Sequence, residues 1–305
     1  MKHPAINPEW LAFFRISTAA FCLLHFFTLL PDIDYFIGYG GFVHAQILRP
    51  FSSHIVPTLY DIAGFVGDER TMQNTIHLFE ISYILSLLLL LTGTVTRVAA
   101  ILASLLHLIL LTSFEIYSYG VDYFSSIMLF YCAIFPIGRV WSVDARLKFR
   151  WNKPLNEISS RGWLKLLQAN LCIAYFFGGF DKLLGYNWWN GESIWKSIHL
   201  VYNPQLISLD AWPPIVFVIA GWTTIAVEIL YPILMNIRRA RPYWLVMVIL
   251  LHLFICLFLG LFFFSGCMIL LNISAYYAPY TKQLLPNGRA SIPDMDPLIT
   301  RFNTD

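Results

Sequence analysis

Ionisable side chains are set into long apolar stretches of this sequence, where each needs a partner, a water-filled cavity or a task. Even on a lenient insertion scale, a charge in hydrocarbon costs about 2.5–3.5 kcal/mol. The set is Arg15, His25, His77, Glu80, His107, Glu115, Asp122, Asp181, Lys182, Glu228 and His252. Arg15 and Glu228 fit a structural ion pair between two helices. Any one histidine is satisfied as a neutral ring bonded to backbone or hydroxyl. No HExxH or paired-carboxylate spacing occurs, so no metal site is expected.

One stretch concentrates the chemistry: "YFFGGFDKLLGYNWWNGESIW", residues 175–195. An apolar run ends there in Asp181 and Lys182, followed by Trp188 and Trp189. As an anchor, Lys182 would lay its stem on apolar surface and place its ammonium at the headgroups. As a base it would be desolvated and present a free amine near neutral pH. Gly178 and Gly179, one turn earlier, permit close approach of a helix or ligand. Asp122 or Asp181 would position the amine, and Trp188 and Trp189 would screen it from lipid.

The elements that must hold these residues follow from composition. Of 305 residues, 58% are hydrophobic and 12% charged, about half the charge of a soluble domain. Apolar runs long enough to cross a ~30 Å hydrocarbon core recur, and the alternation of a membrane β-barrel does not. The fold class expected is an all-α, polytopic membrane bundle of about eight spans: residues 10–30, 75–92, 95–111, 122–137, 164–180, 213–235, 243–261 and 263–279. Residues 243–279 read either as two helices broken near Gly260 and Gly266 or as one span plus a re-entrant piece. "NGESIWKSIHLVY" offers Asn190 as a cap, then Ile194, Ile198 and Tyr202 at helical spacing, a short interfacial helix. The five cysteines lie in apolar runs without CxxC spacing and read as buried small side chains. The run from Trp10 to Leu30 is too long for a signal-peptide core. One domain, 1–280, and a short tail, 281–305, are expected.

Lysine and arginine set the orientation. Of the 20, seven fall between Arg139 and Lys165. Arg238, Arg239 and Arg241 lie between spans six and seven, and Lys2, Arg97, Lys282 and Arg289 fall on the same side. That side is cytoplasmic by the positive-inside rule, as are both termini, in a multi-pass protein of the cell membrane. The remaining set of His77, Glu80, His107, Asp122 and Lys182 then implies a polar cavity opening outward. The net charge of +2 carries no signal for nucleic acid; membrane lipid is the expected surrounding.

The residue 175–195 stretch resembles the signature of the HTTM (horizontally transferred transmembrane) family, related to vitamin K-dependent gamma-glutamyl carboxylases. "LAFFRISTAAFCLLHFFTLLPDIDYFIGYGGFV", "YGVDYFSSIMLFYCAIFPIGRVWSVDA", "VEILYPILM" and "LLHLFICLFLGLFFFSGCMILLN" are similar to further family segments, in family order, over about residues 10–278. The resemblance implies that Lys182 is a base acting on a reduced, vitamin K-like quinone. It also implies that His252 lines the same cavity, although a packed core histidine is an equal reading. Departures from the carboxylases include Tyr119-Gly120-Val121-Asp122, where they carry asparagine–histidine, and Asp181, where animal enzymes have a second lysine. The large extracytoplasmic region is missing, so the chain is more similar to short bacterial members. One of those matures a sporulation-delaying peptide toxin, which implies a small secreted peptide and operon-encoded partners.

Three functions stand from these observations. The first is a membrane enzyme with Lys182, Asp122 and His252 at its centre, and Asp181, Glu80, His77, His107, Trp188 and Trp189 around its substrate. The second is a maturation or export factor for a secreted peptide, without quinone chemistry of its own. The third is a transporter with a proton path, which the absence of an internal repeat disfavours.

Overall fold

In the computed structural model, residues 6–37, 55–64, 69–147, 157–201 and 212–281 are described. All regular elements among them are helical. In order they are α1 (Trp10–Ile37), α2 (Leu59–Gly64), α3 (Glu69–Thr92), α4 (Thr96–Ser113), α5 (Gly120–Ile134), α6 (Val143–Arg146), α7 (Glu157–Leu184), α8 (Tyr186–Trp189), α9 (Glu192–Val201), α10 (Pro214–Ile229), α11 (Tyr231–Leu234), α12 (Arg241–Leu259) and α13 (Phe262–Tyr276). Single 3-10 turns occur at Ile137–Arg139 and Ala278–Tyr280.

Helices lie over all the expected spans, although 213–235 is divided between α10 and α11. Five of them, α1, α3, α4, α12 and α13 with its 3-10 extension, are long and apolar enough to cross a membrane. α5 and α10 are apolar but shorter. α7 runs for 28 residues; Gln168 on it donates to the Ala275 carbonyl at 2.8 Å and Lys182 lines a cavity. The region from 243 to 279 is two helices. They part at Gly260, whose φ of 68° ends α12 in the left-handed conformation, while Gly266 lies inside α13.

Packing follows the chain. α1 lies against α3, α5 and α13, and α4 against both α3 and α5. α7 packs on α10, and α12 on α13. One core runs through these helices, with Trp10, Phe14, Tyr83, Phe135 and Tyr231 fully buried. A satellite core joins Ile194 and Ile198 of α9 to Phe217 of α10. Glu192 N–H donates to Asn190 Oδ1 at 2.9 Å and caps α9 as expected; Tyr202 lies outside the described residues.

Arg15 does not meet Glu228. Its guanidinium donates to the carbonyl of Trp141 and lies against Gly93 and Ser142, tying α1 to the α3–α4 turn and to the segment before α6. That turn is strained, since Val95 sits at φ 44°, a conformation costly for a β-branched residue. Asp144 holds it there, accepting from Val95 N–H at 2.8 Å and from Thr96 N–H and Thr96 Oγ1 at 2.7 Å each. A carboxylate from α6 thus caps α4.

Candidate functional site

The site begins with two glycines. A Cβ on Gly179 would lie 2.8 Å from Glu228 Cβ and 2.9 Å from the backbone nitrogen of Ile229. Glycine is what lets α7 and α10 approach this closely, and the approach sets Glu228 beside Lys182. Lys182 Nζ donates to Glu228 Oε2 at 2.7 Å and to the Gly178 carbonyl at 3.2 Å. It also stands 5.3 Å from the centroid of the Trp188 ring, within cation–π range. The side chains are 23% and 11% exposed, respectively. Lys182 therefore turns inward to a carboxylate rather than outward to headgroups.

Pro232 explains why Glu228 is at the end of its helix. A proline four residues on offers no N–H to the Glu228 carbonyl and crowds it. α10 stops at Ile229 and the chain resumes as α11. The freed carbonyl of Val227 accepts from the Trp244 indole N–H at 3.2 Å, which pins the break to α12.

Beside the pair runs a buried hydrogen-bond chain. Tyr231 Oη donates to Asn272 Oδ1 at 2.7 Å. The Asn272 amide nitrogen donates to Met268 O and to Tyr175 Oη, both at 2.8 Å. Because that nitrogen faces a carbonyl, the amide orientation is set, and Tyr175 must spend its own hydrogen elsewhere. It donates to His252 Nε2 at 2.6 Å. The proton of the neutral His252 ring then lies on Nδ1, and Nδ1 is buried without a partner among the described residues.

Lys182, Glu228, Tyr175 and His252 line one cavity of about 390 Å³. Its other walls are mostly apolar and aromatic, including Phe124, Trp188, Phe254 and Phe264, and α9 adds Ile194 and Ser197. An apolar chamber with a few convergent polar groups is the usual form of a small-molecule site.

The residues singled out in the sequence divide in space. Lys182, His252 and Trp188 meet at this cavity. Trp189 does not line it; its indole donates to Leu183 O at 2.7 Å, while Trp222 donates to the Trp189 carbonyl at 3.1 Å. Asp181 is exposed. Asp122 accepts from Tyr119 N–H at 3.0 Å, capping α5, and is not the carboxylate paired with Lys182. His107 is a satisfied core histidine: Tyr83 Oη bonds Nδ1 at 2.7 Å and Nε2 donates to the Asp122 carbonyl at 3.1 Å. His77 and Glu80 pair with one another at 3.1 Å on α3, a helix that packs on α1, α2 and α4. His25 stacks between Phe21 and Phe263. No group of three metal-binding side chains occurs among the described residues.

Tyr175, Asn272 and Tyr231 are members of the site that the sequence did not single out, and Glu228 was singled out only as a structural partner for Arg15. The signal for Glu228 was the Glu-x-x-x-Pro spacing, which marks a carboxylate at a helix break. The other three carried none, since a tyrosine or asparagine in an apolar run is common.

The described residues form an all-helical bundle, and five of its helices are long and apolar enough to cross a bilayer, which defines a membrane protein. A family model described as HTTM domain matches residues 73–279, and the chain belongs to that family. No curated protein and no solved structure matches the chain.

Proposed function

We propose that this chain is a carboxylase-like membrane enzyme in which Lys182 and Glu228 move a proton at the cavity. The observation that carries this reading is the 2.7 Å contact between Nζ and Oε2 in a largely apolar chamber. Shift of one proton from Nζ to Oε2 converts ammonium and carboxylate into amine and carboxylic acid without displacing a heavy atom. The amine lone pair then takes a proton from a hydroxyl in the cavity, which leaves an alkoxide beside the ammonium and the Glu228 carboxylic acid. Glu228 gives up its proton as the product departs, and the ammonium–carboxylate pair is restored. His252 Nδ1–H, lacking a partner, is placed to donate to an oxygen of the same molecule. Trp188 stands over the ammonium at 5.3 Å and narrows access to it.

The cavity fits a reduced quinone in two respects: aromatic walls for a ring, and an orphaned donor with an acceptor pair for its oxygens. When bound, such a molecule supplies acidic hydroxyls and reducing equivalents. Peptide or lipid-soluble substrates and the outward orientation of the cavity belong to the same proposal. Its sidedness rests on the clustering of Arg97, Arg139, Arg146, Arg238, Arg239 and Arg241 at helix ends away from Lys182.

The test is oxygen-dependent consumption of a reduced menaquinone by the purified, reconstituted protein, with labelled bicarbonate and a glutamate-containing peptide present. Wild type should consume the quinol, and Lys182→Met should lose at least 100-fold, the usual scale of general-base catalysis. Equal rates in the two proteins would sink the reading. If Lys182→Arg supports maturation of a co-expressed secreted peptide as well as wild type, the chain is instead a factor that holds peptide and partner proteins.

A further inference from the structure

A second pocket, of about 540 Å³, lies towards the other end of α5, where Cys132 contributes to its wall. Its polar lining comes from Arg97, Arg139 and Asp144, and its apolar lining includes Val95, Val98 and Phe135. The Asp144 carboxylate offsets only one of the positive charges, and its two oxygens are bonded to Val95 and Thr96 rather than to Arg97 or Arg139. Arg97 spends Nη1 on the Ile134 carbonyl at 3.1 Å and keeps its remaining donors. Arg139 makes no side-chain hydrogen bond among the described residues. Behind the wall, buried Arg15 leaves Nε and Nη1 without partners there, and its charge acts on Cys132 and Asp144. The pocket is therefore electropositive. Guanidinium forks suit phosphate oxygens in particular, since they can donate in pairs. Val95 and Val98, 48% and 60% exposed, present hydrocarbon directly beside the charges. Cationic and apolar surface at the end of membrane helices matches one kind of ligand, an amphiphile with an anionic head.

We propose that this pocket binds the phosphate of an anionic phospholipid, held by Arg97 and Arg139, with Val95 and Val98 against the start of its acyl chains. This site is separate from the Lys182 cavity and does not depend on the reading of that cavity. Bound lipid would brace the α4 turn and the segment between α5 and α6, the same region that Asp144 and Arg15 knit together.

Native mass spectrometry of the full, detergent-purified chain tests it with three probes: phosphatidylglycerol, phosphatidylcholine and inorganic phosphate. Phosphatidylglycerol should be retained several-fold over phosphatidylcholine. Arg97→Gln with Arg139→Gln should reduce its affinity about 25-fold, from about a factor of five per arginine. Arg97→Lys with Arg139→Lys should keep the preference, and it remains informative if the glutamine pair does not fold. Equal retention of the two lipids by wild type overturns the proposal, as does unchanged phosphatidylglycerol binding in the glutamine pair. Stabilisation by inorganic phosphate equal to that by phosphatidylglycerol would mean a free-phosphate site and would also overturn it.

Discussion

Removing one member of the Lys182–Glu228 pair should hurt far more than removing both. Lys182→Met leaves the Glu228 carboxylate, 11% exposed, facing apolar walls. Glu228→Leu leaves the Lys182 ammonium with one carbonyl and an aromatic face for company. Breaking a fully buried pair this way costs about 3–5 kcal/mol. Lys182 retains 23% exposure, so water relieves part of the penalty and about 2–3 kcal/mol is expected for each single variant. The double variant fills the same space with apolar atoms and should fall within about 1 kcal/mol of wild type. The cycle would then be non-additive by at least ~2 kcal/mol, the signature of direct contact. Equilibrium unfolding in micelles of rising dodecyl sulfate content gives all four free energies. If Lys182→Met proves neutral, the lysine is a headgroup anchor. If the two single losses simply add, the pair does not exist in solution. Either result refutes the geometry on which the proton-transfer mechanism stands.

Other perturbations probe the neighbouring supports. Gly179→Ala should destabilise by about 1–3 kcal/mol, because its Cβ would overlap α10, and quinol consumption should fall with it as the pair is pushed apart. Gly93→Ala should be at least as harmful: the new methyl collides with Arg15 Nη1 and the backbone holds φ at +72°; low yield or early unfolding reports it. Asp144→Ala removes the acceptor for three donors and should cost about 2 kcal/mol, at the upper end for a helix cap. In α9, outside the spans, the Lys196 hydrogen bond holds the Glu192 carboxyl below its ordinary 4.5. A depressed value stabilises above the unfolded pKa and is lost as pH falls. Amide exchange in α9 should therefore quicken only below about pH 4.5.

The all-helical, membrane-crossing character was legible because hydrocarbon length and apolar content are one-dimensional properties, readable along the chain. Even the hinge at Gly260 announced itself through a residue free to adopt positive φ. Pairing in the third dimension was not legible in that way. Arg15 and Glu228 were matched on estimated depth alone, as if every helix crossed with its midpoint at the same level. Lys182 was given Asp122 or Asp181 as partners, by shared side and by adjacency. Asp181, next in sequence, points elsewhere because successive residues on a helix lie about 100° apart. His77, Glu80 and His107 were placed with Lys182 by side of the membrane. Yet α3 and α4 belong to the half of the bundle around α1, and their polar groups satisfy one another.

What decides the pairing is register, and register was encoded at small residues rather than charged ones. Gly178 and Gly179 set where α7 can touch α10, and Pro232 sets where α10 must end. Antiparallel packing at that contact aligns Glu228 with residues 178–182 of α7, and it aligns Asn236 with Cys172, whose side chains meet at 3.7 Å. The two contacts lie six to ten residues apart on α7 and eight apart on the other segment, so a single register accounts for both. Lys182 is thus drawn inward by a geometry that two glycines and a proline impose. The Pro232→Ala variant isolates this cause. With an N–H restored at 232 for the Glu228 carbonyl, α10 can continue unbroken, the Tyr231 N–H can return to the Val227 carbonyl, and that carbonyl no longer needs Trp244. Trp244→Phe, which costs wild type a buried acceptor's only side-chain partner and about 1 kcal/mol, should then cost the proline variant almost nothing in the same unfolding assay. An undiminished Trp244→Phe penalty in the Pro232→Ala background would show that proline does not set the break.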